Sequence, residues 1–194
     1  MQRGLSLTRA MLYPEQKKSL WQRLGRCYPL QIELVPLLLL GMAIYLVLSN
    51  YSTLPDTIPS HFNAQGVADD WGSKKTILFF PAFSVPLYVF LTVFNAWISL
   101  VKDPKSLVNL PDRAKAAMSE AKAEELRVLI GRCLFLIKTL TVGLMTYSVY
   151  ATIQVARGEA RSLGIAFFLI LGSIVATAAF MVWRSLNLAL SRQR

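Results

Sequence analysis

Residues 30–48 read LQIELVPLLLLGMAIYLVL, with one charge, Glu33, near the start and none in the rest of the run. As a helix rising about 1.5 Å per residue, this stretch measures close to the ~30 Å hydrocarbon core of a bilayer. Three further apolar stretches follow, at about Thr76–Val101, Val128–Ala156 and Leu163–Trp183. They explain why 54% of the 194 residues are hydrophobic and only 16% charged, with a mean hydropathy of +0.44. Ordinary soluble domains carry about 25% charge. The expected fold is an all-α integral membrane protein with four transmembrane helices. The length leaves no room for a separate soluble domain of usual size.

The distribution of basic residues orients these spans. Six Lys and Arg lie in residues 1–29, six in 102–127 and three in 184–194, against Lys74, Lys75, Arg157 and Arg161 on the other side. By the positive-inside rule both termini are expected in the cytoplasm. The net charge of +10 is thus assigned to juxtamembrane segments meeting anionic headgroups rather than to nucleic acid. No aromatic-basic stripe suited to stacking bases stands out.

The expected units are a cytoplasmic and interfacial segment 1–29, two spans with their loop over 30–101, a charged segment 102–127, two more spans over 128–183, and a basic tail 184–194. The apolar run begins too late, and is too long, for a cleavable signal. From Pro14 to Tyr28, Leu20, Trp21, Leu24, Cys27 and Tyr28 share one helical face with the basic residues largely elsewhere, so an amphipathic helix lying on the membrane is expected. Pro81 and Pro86 predict a kink in the second span. The Ala-, Glu-, Lys- and Leu-rich run from Arg113 is expected to continue unbroken to Ala156, a helix of about 66 Å. Cys27 and Cys133 lack metal-ligand spacing and read as small apolar side chains.

Three charges fall within or beside the spans. Glu33 sits near enough to the interface to stay hydrated, Arg132 reaches the interface, and Lys138 snorkels part of the way or approaches Glu33 if the first and third spans touch. A transport pathway is the competing reading, but no second buried acid is present to build a relay. Gly172 and Ala176 would let the fourth helix pack closely on a neighbour, within the bundle or across an oligomer interface.

The richest stretch is LPDTIPSHFNAQGVADDWGSKK, residues 54–75, within the outer loop 51–75. Pro55 and Pro59 favour extended backbone, Gly66 suits a positive-φ turn, and Asp69-Asp70-Trp71-Gly72 reads as a second turn. His61 is the sole histidine, with Asn63 beside it. His61 with Asp69 or Asp70 offers too few ligands for a closed zinc site, and no nucleophile is paired with it. No metal, cofactor or catalytic residue is expected. A hydrogen-bonded cap over the bundle is the preferred reading, followed by recognition of a ligand through that cap. Trp71 would lie at the headgroup level and Lys74 would meet phosphates.

The order Leu54-Pro55, Ile58-Pro59, His61-Phe62-Asn63, Gly66, then Asp69-Asp70-Trp71-Gly72-Ser73-Lys74, set between two spans, resembles the N-terminal module of unknown function in SdpI-type bacteriocin-immunity membrane proteins. The resemblance covers residues 30–101. It implies protection against a secreted peptide toxin and, in that family, sequestration of a cytoplasmic repressor at the membrane. Pro59, His61, Asn63, Gly66, Asp69, Gly72 and Lys74 would be the module's signature positions. After the second span the chain departs from the immunity proteins. The functional expectation is a non-enzymatic immunity or sensing protein that recognises a peptide or lipid-associated ligand. The alternatives are an accessory subunit of a larger membrane complex and a small transporter.

Overall fold

Among the described residues, four helices are long and apolar enough to cross a membrane. The computed structural model describes residues 30–190, with Gly25 and Cys27. The amphipathic helix expected over Pro14–Tyr28 and residues 191–194 lie outside the described residues, apart from those two positions. After one 3-10 turn at Leu30–Glu33, α1 runs over Leu34–Asn50. Pro36 falls in its first turn, where a missing N–H breaks no helical bond. Leu34, Leu37, Leu38 and Leu48 are exposed on its outer face, as suits a surface solvated by lipid.

The second span begins as a 3-10 turn, Lys74–Leu78, and continues as α2, Phe79–Leu100. Pro81 lies in the first turn of α2, so of the two prolines only Pro86 is internal to the helix. The expected unbroken helix from Arg113 to Ala156 is instead two helices, α3 over Asp112–Ala117 and α4 over Glu120–Ala156. Met118 turns to extended backbone at ψ 123° and buries its side chain with Ile98, Ala123, Leu126 and Ile130. Ser119 restarts the helix by accepting a hydrogen bond from the Lys122 amide at 3.4 Å. Burial of one methionine and one N-cap therefore overrides a run of strong helix formers. The 37 residues of α4 still measure about 55 Å.

The last helix, α5, spans Gly164–Leu190 and so takes in most of the expected tail. Arg157 and Gly158 close α4, and Gly158 adopts φ +74°. Central to the bundle is α4, which packs on α1, α2 and α5, while α2 and α5 lean on it with little contact between themselves. Its composition permits this. The Thr146 hydroxyl donates to the Leu39 carbonyl of α1 at 2.9 Å, and a Cβ at Gly131 would lie 2.9 Å from the Cβ of Cys27. Small and hydroxyl-bearing residues are what lets membrane helices approach closely.

The all-α expectation needs one correction, because the segment between α1 and α2 is an antiparallel hairpin. Strand β1 covers Thr57–Phe62 and β2 covers Ala68–Ser73, paired from Thr57 with Ser73 to Phe62 with Ala68. Asp69-Asp70-Trp71-Gly72, expected as a turn, is therefore strand. Its side chains gain little from burial, so the pairing is held by backbone bonds and by what β1 buries. Ile58 is fully buried with Leu54 and Ile77 against Val47, Val149 and Ile153 of α1 and α4.

Candidate ligand-binding site

The hairpin is pinned at three points. At its tip, Asn63 Oδ1 accepts from the amides of Gln65 (3.0 Å) and Val67 (3.1 Å), which is the side-chain-to-backbone bonding that makes Asn a turn residue. Gly66 completes the turn at φ +75°, a region L side chains avoid. A Cβ there would also meet the Phe168 ring at 3.2 Å. The tip is then tied to the α4–α5 connection, where the Leu163 amide donates to the Gly66 carbonyl at 2.8 Å and Val67 bridges to Ser162. At the base, Lys74 pairs with Asp56 at 3.0 Å and lies over the Tyr51 ring. Lys74 thus closes the hairpin, with its charge already paired.

Across the strands, His61 Nδ1 meets Asp69 Oδ1 at 2.6 Å, and the Ser60 hydroxyl donates to Asp70 at 2.9 Å. The His61 side chain is 67% exposed. Trp71 is half exposed, and Gly72 lets Ser60 approach, since a Cβ would stand 3.2 Å from that of Ser60. Among the described residues no three His, Cys, Asp or Glu side chains converge to hold a metal ion.

Beneath β1 lies a cavity of about 540 Å³. Pro59, His61 and Asn63 contribute to its roof, Phe79 and Phe80 of α2 form one wall, and Phe167 of α5 faces them. The floor is α4, through Ser148 and Thr152. The cavity exists because α2 and α5 do not close on each other over α4. Thr152 is 1% exposed, yet its hydroxyl has no hydrogen-bond partner among the described residues. A buried hydroxyl left unpaired costs free energy unless something else satisfies it. The result is a chamber with aromatic walls, a polar floor and a polar-edged roof, the general form of a site for an amphipathic ligand.

The charged residues singled out in the spans gather at the opposite, basic end. Lys138 does not snorkel. It is fully buried, pairs with Glu33, donates to Thr92 Oγ1 at 3.1 Å and lies over the Tyr88 ring. Glu33 is correspondingly enclosed at 13% exposure, rather than hydrated, and accepts from the Tyr88 hydroxyl at 3.0 Å. This cluster joins α2 and α4 to the start of α1. Arg132 is exposed beside the groove between α4 and α5. Ala176 lines that same groove, but Gly172 faces outward with nothing within 4 Å of a would-be Cβ.

Several anchoring residues escaped the sequence reading. Arg127 is 3% exposed and donates to the Ser99 and Val101 carbonyls at 3.3 and 2.6 Å, placing a cation on the negative C-terminal end of α2. Asn95 is buried and donates to the Gly131 carbonyl at 3.0 Å. Arg157 ties the end of α4 to Asn50 at 2.6 Å. Cys27 packs here as well, and burial pushes its thiol above its ordinary value, against the lowering effect of a hydrogen bond shared with the Ser99 side chain. Arg127 and Arg157 register in the sequence only as basic residues of their segments, and Asn95 leaves no signal at all.

Residues 37–85 match the family described as a domain of unknown function, DUF1648, a domain found in SdpI-type proteins. The chain is also similar to an uncharacterized protein of Archaeoglobus fulgidus, at 37% identity over 65 residues. That alignment takes in 33% of this chain and 36% of the archaeal protein. No solved structure matches.

Proposed function

We propose that this chain, a membrane protein with a DUF1648 module, is an immunity or sensing protein of the SdpI type. It works by binding rather than by chemistry. In this reading it sits in a bacterial cytoplasmic membrane with both termini inside, as the bias of Lys and Arg supports. The hairpin faces outward and recognises a membrane-active peptide, whose apolar side chains enter the chamber from the bilayer. The observation that carries the reading is that Pro59, His61 and Asn63, all positions of the motif, contribute to the roof of that chamber.

The test is survival. Peptide-sensitive cells expressing the chain are challenged with secreted membrane-active peptides, beside cells expressing Thr152→Trp, which fills the chamber from its floor. Protection by the parent chain and its loss at equal protein level in Thr152→Trp would support the reading. Equal sensitivity with and without the parent chain would refute it for the peptides tried.

An accessory-subunit reading is favoured by one observation, the outward-facing Gly172 on α5, which leaves a close-approach surface for another protein. A mild-detergent pull-down from the native membrane separates the two. Stoichiometric larger membrane subunits would favour the accessory role, and a chain recovered alone or as a homo-oligomer would favour immunity or sensing.

A further inference from the structure

A second cavity, of about 600 Å³, lies between α4 and α5 at the basic end. Its walls are apolar, with Val128, Leu129 and Leu136 on α4 and Ala176 and Phe180 on α5. Its charged members are Glu125 and Arg132, seven residues apart and so on one helix face. Glu125 is already engaged, since Arg184 of α5 pairs with it at 3.4 Å. Arg132 is exposed and has no ion-pair partner among the described residues.

Depth along the helices fixes what these two cations can meet. Arg132 lies 24 residues before Ala156, the last residue of α4, or about 36 Å along the axis. Arg184 lies 20 residues after Gly164, the first of α5, or about 30 Å. Arg184 reaches Glu125, about 10 Å beyond Arg132 along α4, so with a hydrocarbon core of about 30 Å Arg132 falls near the core boundary at the basic end and Arg184 on its headgroup side. The apolar groove runs from them toward the bilayer interior.

We infer that this groove is a binding site for an anionic phospholipid, with the phosphate on Arg132, supported by Arg184, and an acyl chain against Leu136 and Phe180. A guanidinium offers paired donors to phosphate oxygens, and basic pockets between membrane helices hold acidic headgroups in this manner. A zwitterionic lipid could fill the groove but would meet the Arg132 cation with no net charge. The inference is independent of the chamber beneath the hairpin.

The experiment uses the full chain purified in mild detergent and titrated with phosphatidylglycerol or phosphatidylcholine, followed by native mass spectrometry and thermal unfolding. The expected result is preferential retention of phosphatidylglycerol and a rise in unfolding temperature with that lipid alone. Arg132→Gln should weaken retention about tenfold, the scale of losing a charge-assisted pair, while Arg132→Lys keeps part of it. Arg161→Gln, at the hairpin end, should leave it unchanged. Leu136→Trp, which obstructs the groove and keeps every charge, should also lower retention. Equal retention of both lipids, or equal loss in Arg132→Gln and Arg161→Gln, would overturn the site.

Discussion

The two ends of this bundle are held by opposite means. At the hairpin end, polar side chains are mostly exposed and spent on shaping a turn, while attachment rests on apolar burial of Ile58, Leu54 and Ile77 and on backbone bonds to the α4–α5 connection. At the basic end, charge itself is turned inward. Lys138 meets Glu33 and Tyr88 across three segments, and Arg127 covers the end of α2. In the proposed reading the difference separates fastening from recognition. The end fastened by buried charge tolerates little rearrangement, because removing one partner strands the other in a medium that cannot hydrate it. The hairpin end keeps its motif residues accessible and leaves a cavity open below them.

The comparison can be broken at its strongest point first. Lys138→Met should destabilise the folded chain by about 3–5 kcal/mol in detergent unfolding, because Glu33 is left enclosed. Glu33→Gln with Lys138→Met should recover most of that loss. A single substitution costing under about 1 kcal/mol would mean that the pair is effectively hydrated and the basic end is not fastened by charge. Next in size, Ile58→Ala should cost about 2–4 kcal/mol, the range for emptying a buried aliphatic site. Limited proteolysis should then cut within 54–75 while the spans stay protected. Uniform cleavage would show instead that the hairpin and the bundle are one cooperative unit.

Smaller effects sharpen the same contrast. Gly66→Ala should cost about 1–2 kcal/mol from its positive φ, with any displacement of the Phe168 ring adding to it. Asn63→Ala, losing two acceptor bonds at the tip, should cost about 1 kcal/mol. His61→Ala should change stability by less than about 0.5 kcal/mol, since an exposed pair contributes little. A large loss in His61→Ala would move the motif from recognition to fastening, and the contrast between the ends would fall.

What was legible in the sequence follows the range of the interactions. The four spans stand out because apolar run length is a local property, and Gly66 and Pro59 announce extended chain and a turn for the same reason. The second strand was not legible. Asp69-Asp70-Trp71-Gly72 has the composition of a turn, and only pairing with β1 makes it a strand. The break at Met118 and Ser119 was hidden by helix-forming neighbours, because a tertiary contact decides it. The meeting of Lys138 with Glu33 was conditional on contact between the first and third spans, which no spacing within either span reveals. The chamber was invisible for a further reason. It is the space left where α2 and α5 fail to meet, and no single segment encodes a gap.

The most direct test of the account addresses the chamber itself. Thr152→Cys is introduced into a chain whose Cys27 and Cys133 are replaced by Ala, and its labelling by a lipophilic maleimide is followed in membranes with and without a membrane-active peptide chosen by the survival test proposed above. The account predicts ready labelling from the bilayer and its suppression by the peptide. A Thr152→Cys thiol that stays unreactive in the folded protein, or labels at the same rate whether or not the peptide is bound, would contradict it.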